Sequence, residues 1–92
     1  MIIQTSTSNV IENLTYTEMD SIRALARALD GKKEKVVVAS AIADTIQTTR
    51  SAFVAGVRKL EIVGVIRAQS MGQKGLRVEV LNPEALAVIV KG

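Results

Sequence analysis

A short stretch in the middle of the chain combines hydroxyl, basic and very small side chains. Residues 48–61 read TTRSAFVAGVRKLE. Arg50 can reach guanine edges or phosphate, and Thr49 and Ser51 can donate hydrogen bonds to phosphate. Small residues let a helix enter a groove closely. These residue types therefore predict contacts to a polyanion such as duplex DNA, and the candidates are Thr49, Arg50, Ser51, Ala52, Ala55 and Arg58.

A second polar cluster follows in the segment SMGQKG, residues 70–75. Its two glycines surround Gln73 and Lys74, and because glycine takes positive φ without strain, the segment predicts a hairpin turn. Lys74 at the tip can reach a phosphate or the minor groove, and Ser70 can add a hydrogen bond to phosphate.

Each of these residues also has a purely structural interpretation. Thr49 can be a helix N-cap, Arg50 and Arg58 can be solvated charges, and residues 70–75 can be an ordinary exposed turn. We expect Lys59 to lie on or near the exposed face of the same helix, as a solvated charge rather than a contact. For Thr49 the two interpretations are compatible, since a capping hydroxyl can also contact a ligand.

Composition excludes several classes of protein. The 92 residues suffice for one small domain, and they contain neither Cys nor His. The missing side chains remove disulfides, most zinc sites and the commonest general base. The acidic residues are scattered and suggest no nucleophile–base pair, so we expect no enzyme and no metal. Since no apolar run approaches membrane-spanning length and no signal peptide is present, we expect a cytoplasmic protein.

The charge balance permits a polyanionic partner without requiring one. The formal net charge is +3 and the pI is near 9.6. Such a mildly basic balance is compatible with nucleic-acid binding, but the position of the charges decides.

Local signals divide the chain into elements. Residues 1–13 read as a tail or the end of an interdomain linker, and residues 14–92 as one domain. Thr15 and Glu18 form a capping box that starts a helix, which Gly31 is placed to stop. After the charged connector KKEK, residues 36–38 predict a single short strand, and Ser40 is expected to cap a short helix.

The second half of the chain continues with a helix, a hairpin and a last helix. In the helix of about residues 50–63, the side chains expected on the buried face are Phe53, Gly56, Val57, Leu60 and Val63. Residues 65–70 and 76–81 predict two strands. Asn82 and Pro83 carry helix-start chemistry. The order predicts a winged helix-turn-helix, which is mainly α with a small antiparallel β hairpin (α+β). In this fold we expect the recognition helix (about 50–63) to enter the major groove of DNA and the wing (about 70–76) to contact the flanking backbone.

Several strings resemble the C-terminal DNA-binding domain of the CodY family: VASAIAD, TRSAFVAGVRKLE, GVI and SMGQKGLRVEVLN. The resemblance runs from about Leu14 to Asn82. It implies that the family's helix-turn-helix motif falls on Ser40 and on residues 49–51, and its wing motif on Ser70 and Lys74. The chain departs from the family pattern at two positions, with Gln47 where a Gly is usual and Ala55 where an Asn is usual.

The resemblance also implies a biological role. CodY proteins are global transcriptional regulators of Gram-positive bacteria, usually repressors of nutrient-limitation genes. They act as homodimers and join this domain to a GAF-type sensor of branched-chain amino acids, with GTP as a second effector in some members. No such sensor is present in these residues, so we expect no cofactor here, and an excised domain rather than a stand-alone paralogue. The alternative is a winged helix used for protein–protein interaction without DNA, which an apolar rather than basic surface would favour.

Overall fold

The computed structural model describes residues 14–91, so the predicted tail at residues 1–13 lies outside the described residues. The elements in chain order are α1 Tyr16–Leu29, β1 Glu34–Val37, α2 Ala39–Thr45, α3 Arg50–Ile62, β2 Ile66–Ser70, β3 Leu76–Val80 and α4 Pro83–Lys91. A 3-10 turn, Gly72–Lys74, lies between β2 and β3. The order confirms the predicted winged helix-turn-helix.

Helix α1 starts with the predicted capping box. The Thr15 hydroxyl accepts a hydrogen bond from the Glu18 amide at 3.1 Å, and the Glu18 carboxylate accepts one from the Thr15 amide at 2.9 Å. Each side chain thus satisfies a backbone donor that a helix start leaves without a partner. The helix ends at Leu29, where Asp30 at the C-cap and Gly31 after it both adopt positive φ, 51° and 76°.

The core is almost wholly aliphatic and gathers around one aromatic ring. Phe53 is fully buried and is the largest of the fully buried side chains, which otherwise come from α1, α3, the sheet and α4: Ile22, Leu25, Leu29, Leu60, Ile66, Val78 and Ile89 among them. These positions repeat every three or four residues in the helices, so one stripe of each helix faces inward. Val63, predicted on the buried face of α3, is only half-buried.

Helices α1 and α3 pack closely at Gly56. A Cβ at this position would lie 3.1 Å from the Glu18 carbonyl oxygen and 3.2 Å from the Ser21 Cβ. Next to this contact Lys59 Nζ donates to Glu18 Oε1 at 3.1 Å. The prediction that Lys59 is a solvated charge was therefore wrong, because the ammonium group lies against α1 and is half-buried.

The wing hairpin belongs to a three-stranded antiparallel sheet in the order β1–β3–β2. The isolated strand predicted at residues 36–38 is in fact β1, which begins earlier at Glu34 and pairs with β3, Val37 opposite Leu76. Lys35 Nζ donates to the Ala28 carbonyl of α1 at 2.7 Å and ties the first strand to the helix. The charged connector thus contributes half of a strand, because pairing with β3 satisfies its backbone.

The predicted cap of the short helix α2 was wrong, whereas the turn predicted at Gln47 and Thr48 is present. Helix α2 begins at Ala39 with Val38 at the N-cap position and no side-chain capping bond, so Ser40 is not the predicted cap. In the turn between α2 and α3, Gln47 has φ 55°. A left-handed φ carries a steric cost for any residue with a Cβ.

The last helix starts as predicted, because the Asn82 side chain accepts from the Ala85 amide at 3.0 Å and Pro83 occupies the first position. Ala85, Leu86 and Ile89 turn inward. Arg23 Nε of α1 donates to the Val90 carbonyl at 3.1 Å and holds the end of α4.

Acidification should weaken the α1 cap. The backbone hydrogen bond from Thr15 lowers the pKa of Glu18, burial opposes it, and the hydrogen bonds from Lys59 and the Thr15 hydroxyl lower it further. A carboxyl whose pKa is lower in the folded state stabilises the fold above its unfolded pKa, and this stability is lost as pH falls through the folded pKa. In urea unfolding at several pH values, the excess stability of the native chain over Glu18→Gln should begin to decline as pH falls below about 4.3, the usual pKa of an unfolded Glu, and should be lost once pH is below the lowered pKa of the folded carboxyl. An unchanged excess at low pH would contradict this.

Relief of the left-handed turn should stabilise the fold. A left-handed non-glycine residue costs about 1–2 kcal/mol, and the greater freedom of glycine in the unfolded chain offsets about 0.4–1 kcal/mol of that. We expect Gln47→Gly to raise the free energy of unfolding by about 0.5–1 kcal/mol. Gln47→Ala keeps the Cβ and should give no such gain, so an equal gain from both substitutions would exclude this explanation.

Candidate nucleic-acid interface

The start of α3 exposes hydroxyl and basic groups on a well-capped helix end. The Thr49 hydroxyl accepts from the Ala52 amide at 3.1 Å, so Thr49 is the N-cap of α3, as one of its two interpretations predicts. Thr49, Arg50 and Ser51 are all exposed. The cap uses the Ala52 amide, which leaves the preceding amides of the first turn to point out of the helix end, where an anion is favoured.

Helix α3 divides its remaining surface into two exposed stripes. At about 100° per residue, Ser51, Ala55 and Ile62 share the outward stripe, and all three are exposed. Arg50, Val54 and Glu61 share a second stripe that faces the wing, with Arg58 at the border between the two. Ala52 was predicted to be exposed but is half-buried, because it lies one step further round toward α1.

The wing folds tightly against the end of β1. The Met71 amide donates to the Gly75 carbonyl at 2.8 Å and closes the turn. Gly75 has φ 117°, and a Cβ there would lie 2.5 Å from the Val37 carbonyl oxygen. No side chain fits at that distance, so glycine is what lets the turn sit on β1 and keeps Gln73 and Lys74 exposed at its tip.

A cleft of about 550 Å³ separates α3 from the wing. Its floor is apolar, and its polar lining brings together five of the predicted site residues: Ser40, Arg50, Arg58, Ser70 and Gln73. Ser40 comes from α2, the arginines from α3, and the other two from the hairpin. The fold therefore assembles side chains from three separate segments into one concave surface.

The other predicted residues lie outside the lining of this cleft. Thr49, Ser51 and Ala55 lie on the end and outward stripe of α3, and Lys74 lies exposed in the 3-10 turn. Each of these residues is next in sequence, or nearly so, to a residue that lines the cleft. A ligand that lies along α3 and crosses the wing can therefore contact the residues inside the cleft and those beside it. Contact of any of the ten residues with DNA stays a prediction.

The positive charges of this surface are available to a ligand. Within residues 14–91, Arg50, Arg58 and Lys74 take part in no ion pair, whereas Lys59 pairs with Glu18 and Arg77 pairs with Glu34. The Glu34 carboxylate raises the already high pKa of Arg77, so that guanidinium stays charged on the outer face of the sheet. The two arginines of the cleft and the lysine of the wing are thus without a carboxylate partner within residues 14–91, as are basic groups elsewhere on the domain such as Arg27.

Sequence reasoning missed several residues that line the cleft, among them Glu61 and Val38. Glu61 lines it together with the arginines, and Val38 lines its floor. Helical spacing alone places Glu61 on the stripe of Arg50, so this residue could have been found from the sequence. Val38 could not, because its position depends on how β1 meets the wing.

The described part of the chain was searched for a metal site and for a membrane-spanning helix. Residues 14–91 contain no group of three or more metal-binding side chains that could hold an ion. None of the helices among them combines the length and apolarity that crossing a membrane requires.

Comparison with known proteins yields a family match and close relatives. The model of the CodY helix-turn-helix domain matches residues 33–90. The chain is 43% identical over 81 residues to the global transcriptional regulator CodY of Halalkalibacterium halodurans, and 43% identical over 81 residues to that of Geobacillus kaustophilus. Each alignment covers 88% of this chain but 31% of the relative, so the chain spans about a third of the length of these curated relatives.

The seat of the wing gives a stability prediction. Gly75→Ala combines a backbone conformation that side chains avoid with overlap on Val37, and we expect it to cost about 2–4 kcal/mol in free energy of unfolding. Gly72 is a matched control, because its φ is 63° but nothing lies within 4 Å of its added Cβ. Gly72→Ala should cost about 1–2 kcal/mol, and equal costs in urea unfolding would exclude the close approach to Val37 as the cause.

Proposed function

The chain belongs to the CodY helix-turn-helix family, and from this premise we propose that it binds duplex DNA as the DNA-binding part of a transcriptional regulator. The observation that carries the proposal is the cleft between α3 and the wing, which is lined by Arg50 and Arg58. Neither guanidinium has a carboxylate partner within residues 14–91. An unpaired guanidinium loses no internal ion pair when it binds phosphate or guanine.

In the proposed docking, α3 enters the major groove with its N-terminal turn first. Arg50 and Ser51 then face base edges and phosphates, and the exposed Ala55 lets the helix axis approach the groove floor. The small side chain has a second consequence, since an amide at this position could form hydrogen bonds with a base edge, whereas a methyl group can make only an apolar contact, for example with a thymine methyl. The target sequence preferred by this chain therefore should differ at that base from the one read by relatives with Asn.

The wing would contact the backbone beside the groove. Ser70 and Gln73 line the cleft, and Lys74 stands at the tip of the turn. Hydroxyl, amide and ammonium groups all donate to phosphate oxygens, so this part of the interface adds affinity without reading sequence. Binding should accordingly weaken steeply as salt concentration rises.

We propose the wider role by analogy with the curated relatives, which are named global transcriptional regulators. This role comprises repression of nutrient-limitation genes, action as a homodimer in a cytoplasmic full-length protein, and effector control by branched-chain amino acids or GTP outside residues 14–91. Family membership points to a regulator rather than to an enzyme. A single domain lacks the second half of a symmetric contact, so we expect it to bind more weakly than a dimer.

A protein–protein module is the competing function for the same surface. The exposed apolar side chains nearest the wing are Val36, Val38 and Met71. Val38 lines the cleft together with Arg50 and Arg58, and these positive charges favour nucleic acid as the ligand.

Removal of the two proposed phosphate and base contacts tests the docking. Arg50→Ala should weaken binding about 5- to 100-fold if the guanidinium reads a base edge. Lys74→Ala should weaken binding to all duplexes alike and reduce the slope of log affinity against log salt by about 1. Fluorescence anisotropy with two labelled duplexes of equal length and different sequence, at several salt concentrations, measures both effects.

Arg27→Ala is the matched control, because Arg27 is an exposed arginine in the last turn of α1, outside the cleft lining. It lowers the net charge by the same amount as the other two substitutions. Folded Arg50→Ala and Lys74→Ala proteins that bind like Arg27→Ala would rule out this docking and favour the protein–protein function.

A further inference from the structure

One acidic side chain lies in the surface that we propose for DNA. Among the described residues that line the cleft, Glu61 carries the one carboxylate. It is exposed and forms no ion pair within residues 14–91, so neither Arg50 nor Arg58 neutralises it. This unpaired carboxylate should repel the phosphate groups that the neighbouring arginines attract.

The helix fixes where this charge lies relative to the arginines. Arg50 and Arg58 are eight residues apart, which corresponds to about 12 Å along the helix axis, and Glu61 follows Arg58 after about 4.5 Å. The cleft therefore has a phosphate-attracting part between Arg50 and Arg58 and a phosphate-repelling part at Glu61, near the C-terminal end of α3. A phosphate held by Arg58 would lie within a Debye length of the Glu61 carboxylate.

On the premise of the DNA-binding function proposed above, we propose that Glu61 limits how far a phosphate backbone extends along the cleft, and that it thereby weakens binding to every duplex. The effect is independent of sequence because it acts on phosphate, which every duplex carries. Glu61 is thus a positioning residue. It keeps the bound strand at the Arg50–Arg58 part of α3 and sets an upper limit on the affinity that phosphate contacts alone can give.

Neutralisation of the carboxylate tests this role. Repulsion between unit charges about 8 Å apart corresponds to roughly a 2- to 5-fold change in affinity at the high effective dielectric constant of an exposed site. Glu61→Gln should therefore bind two labelled duplexes of different sequence roughly 2- to 5-fold more tightly at low salt, by the same factor for both. The gain should shrink as salt is raised, because the repulsion is screened.

Glu84→Gln controls for the change in net charge. Glu84 is exposed in the first turn of α4 and does not line the cleft. Its neutralisation should leave affinity close to that of the native chain. Equal gains from Glu61→Gln and Glu84→Gln would overturn the proposal, since total charge would then explain the effect.

A second pair of variants separates direct repulsion from restraint of Arg58. If Glu61 acts on phosphate, Glu61→Gln should also tighten binding in an Arg58→Ala background, whereas loss of the gain there would overturn the proposal. Weaker binding by Glu61→Gln would overturn the proposal too, because the native carboxylate would then make a favourable contact, for example with a base amino group. A gain confined to one duplex would also overturn it, because repulsion of phosphate acts on every duplex. A native chain that binds neither duplex would refute the DNA-binding function itself, whereas native binding with unaltered Glu61→Gln affinity refutes only the role of Glu61.

Discussion

The close approach of α3 to α1 is the constraint on which the surface depends. Gly56 removes the one side chain that would hold the helices apart, and the backbone of Glu18 fills the space. Glycine inside a helix costs about 0.5–1 kcal/mol, but its absence of a Cβ lets Phe53 and Leu60 bury fully on either side. Because the inner face of α3 is fixed in this way, its other faces have defined directions, one toward solvent and one toward the wing.

A second close approach, between the wing turn and β1, places the wing opposite one of these faces of α3. Gly75 lets the turn pack on the Val37 carbonyl, and the wing then lies across from the side of α3 on which Arg50 and Arg58 line the cleft. The cleft thus depends on two glycines: a Cβ at Gly75 would overlap the Val37 carbonyl, and a Cβ at Gly56 would crowd the backbone of α1. Ser40 joins the cleft because the register of β1 and β3 carries the chain from Val37 directly into α2.

What the sequence could predict follows from how local each signal is. The caps at Thr15, Thr49 and Asn82 act over three residues, so they were recognisable from the sequence and are present in the structure. The ion pair between Lys59 and Glu18 joins residues far apart in sequence, and no local pattern encodes it. For the same reason β1 was underestimated, since Glu34 and Lys35 become strand residues only through pairing with β3.

In the candidate site, too, some features follow from local sequence patterns and others depend on the tertiary fold. Helical periodicity alone places Arg50 and Glu61 on one stripe with Arg58 beside it, but what these charges can do depends on the wing opposite them. On a bare helix an arginine and a glutamate three residues apart read as a compensating pair. In the proposed complex the arginine attracts the phosphate backbone and the glutamate repels it. The affinity of this surface for DNA then depends on where the two charges lie and not only on the net charge.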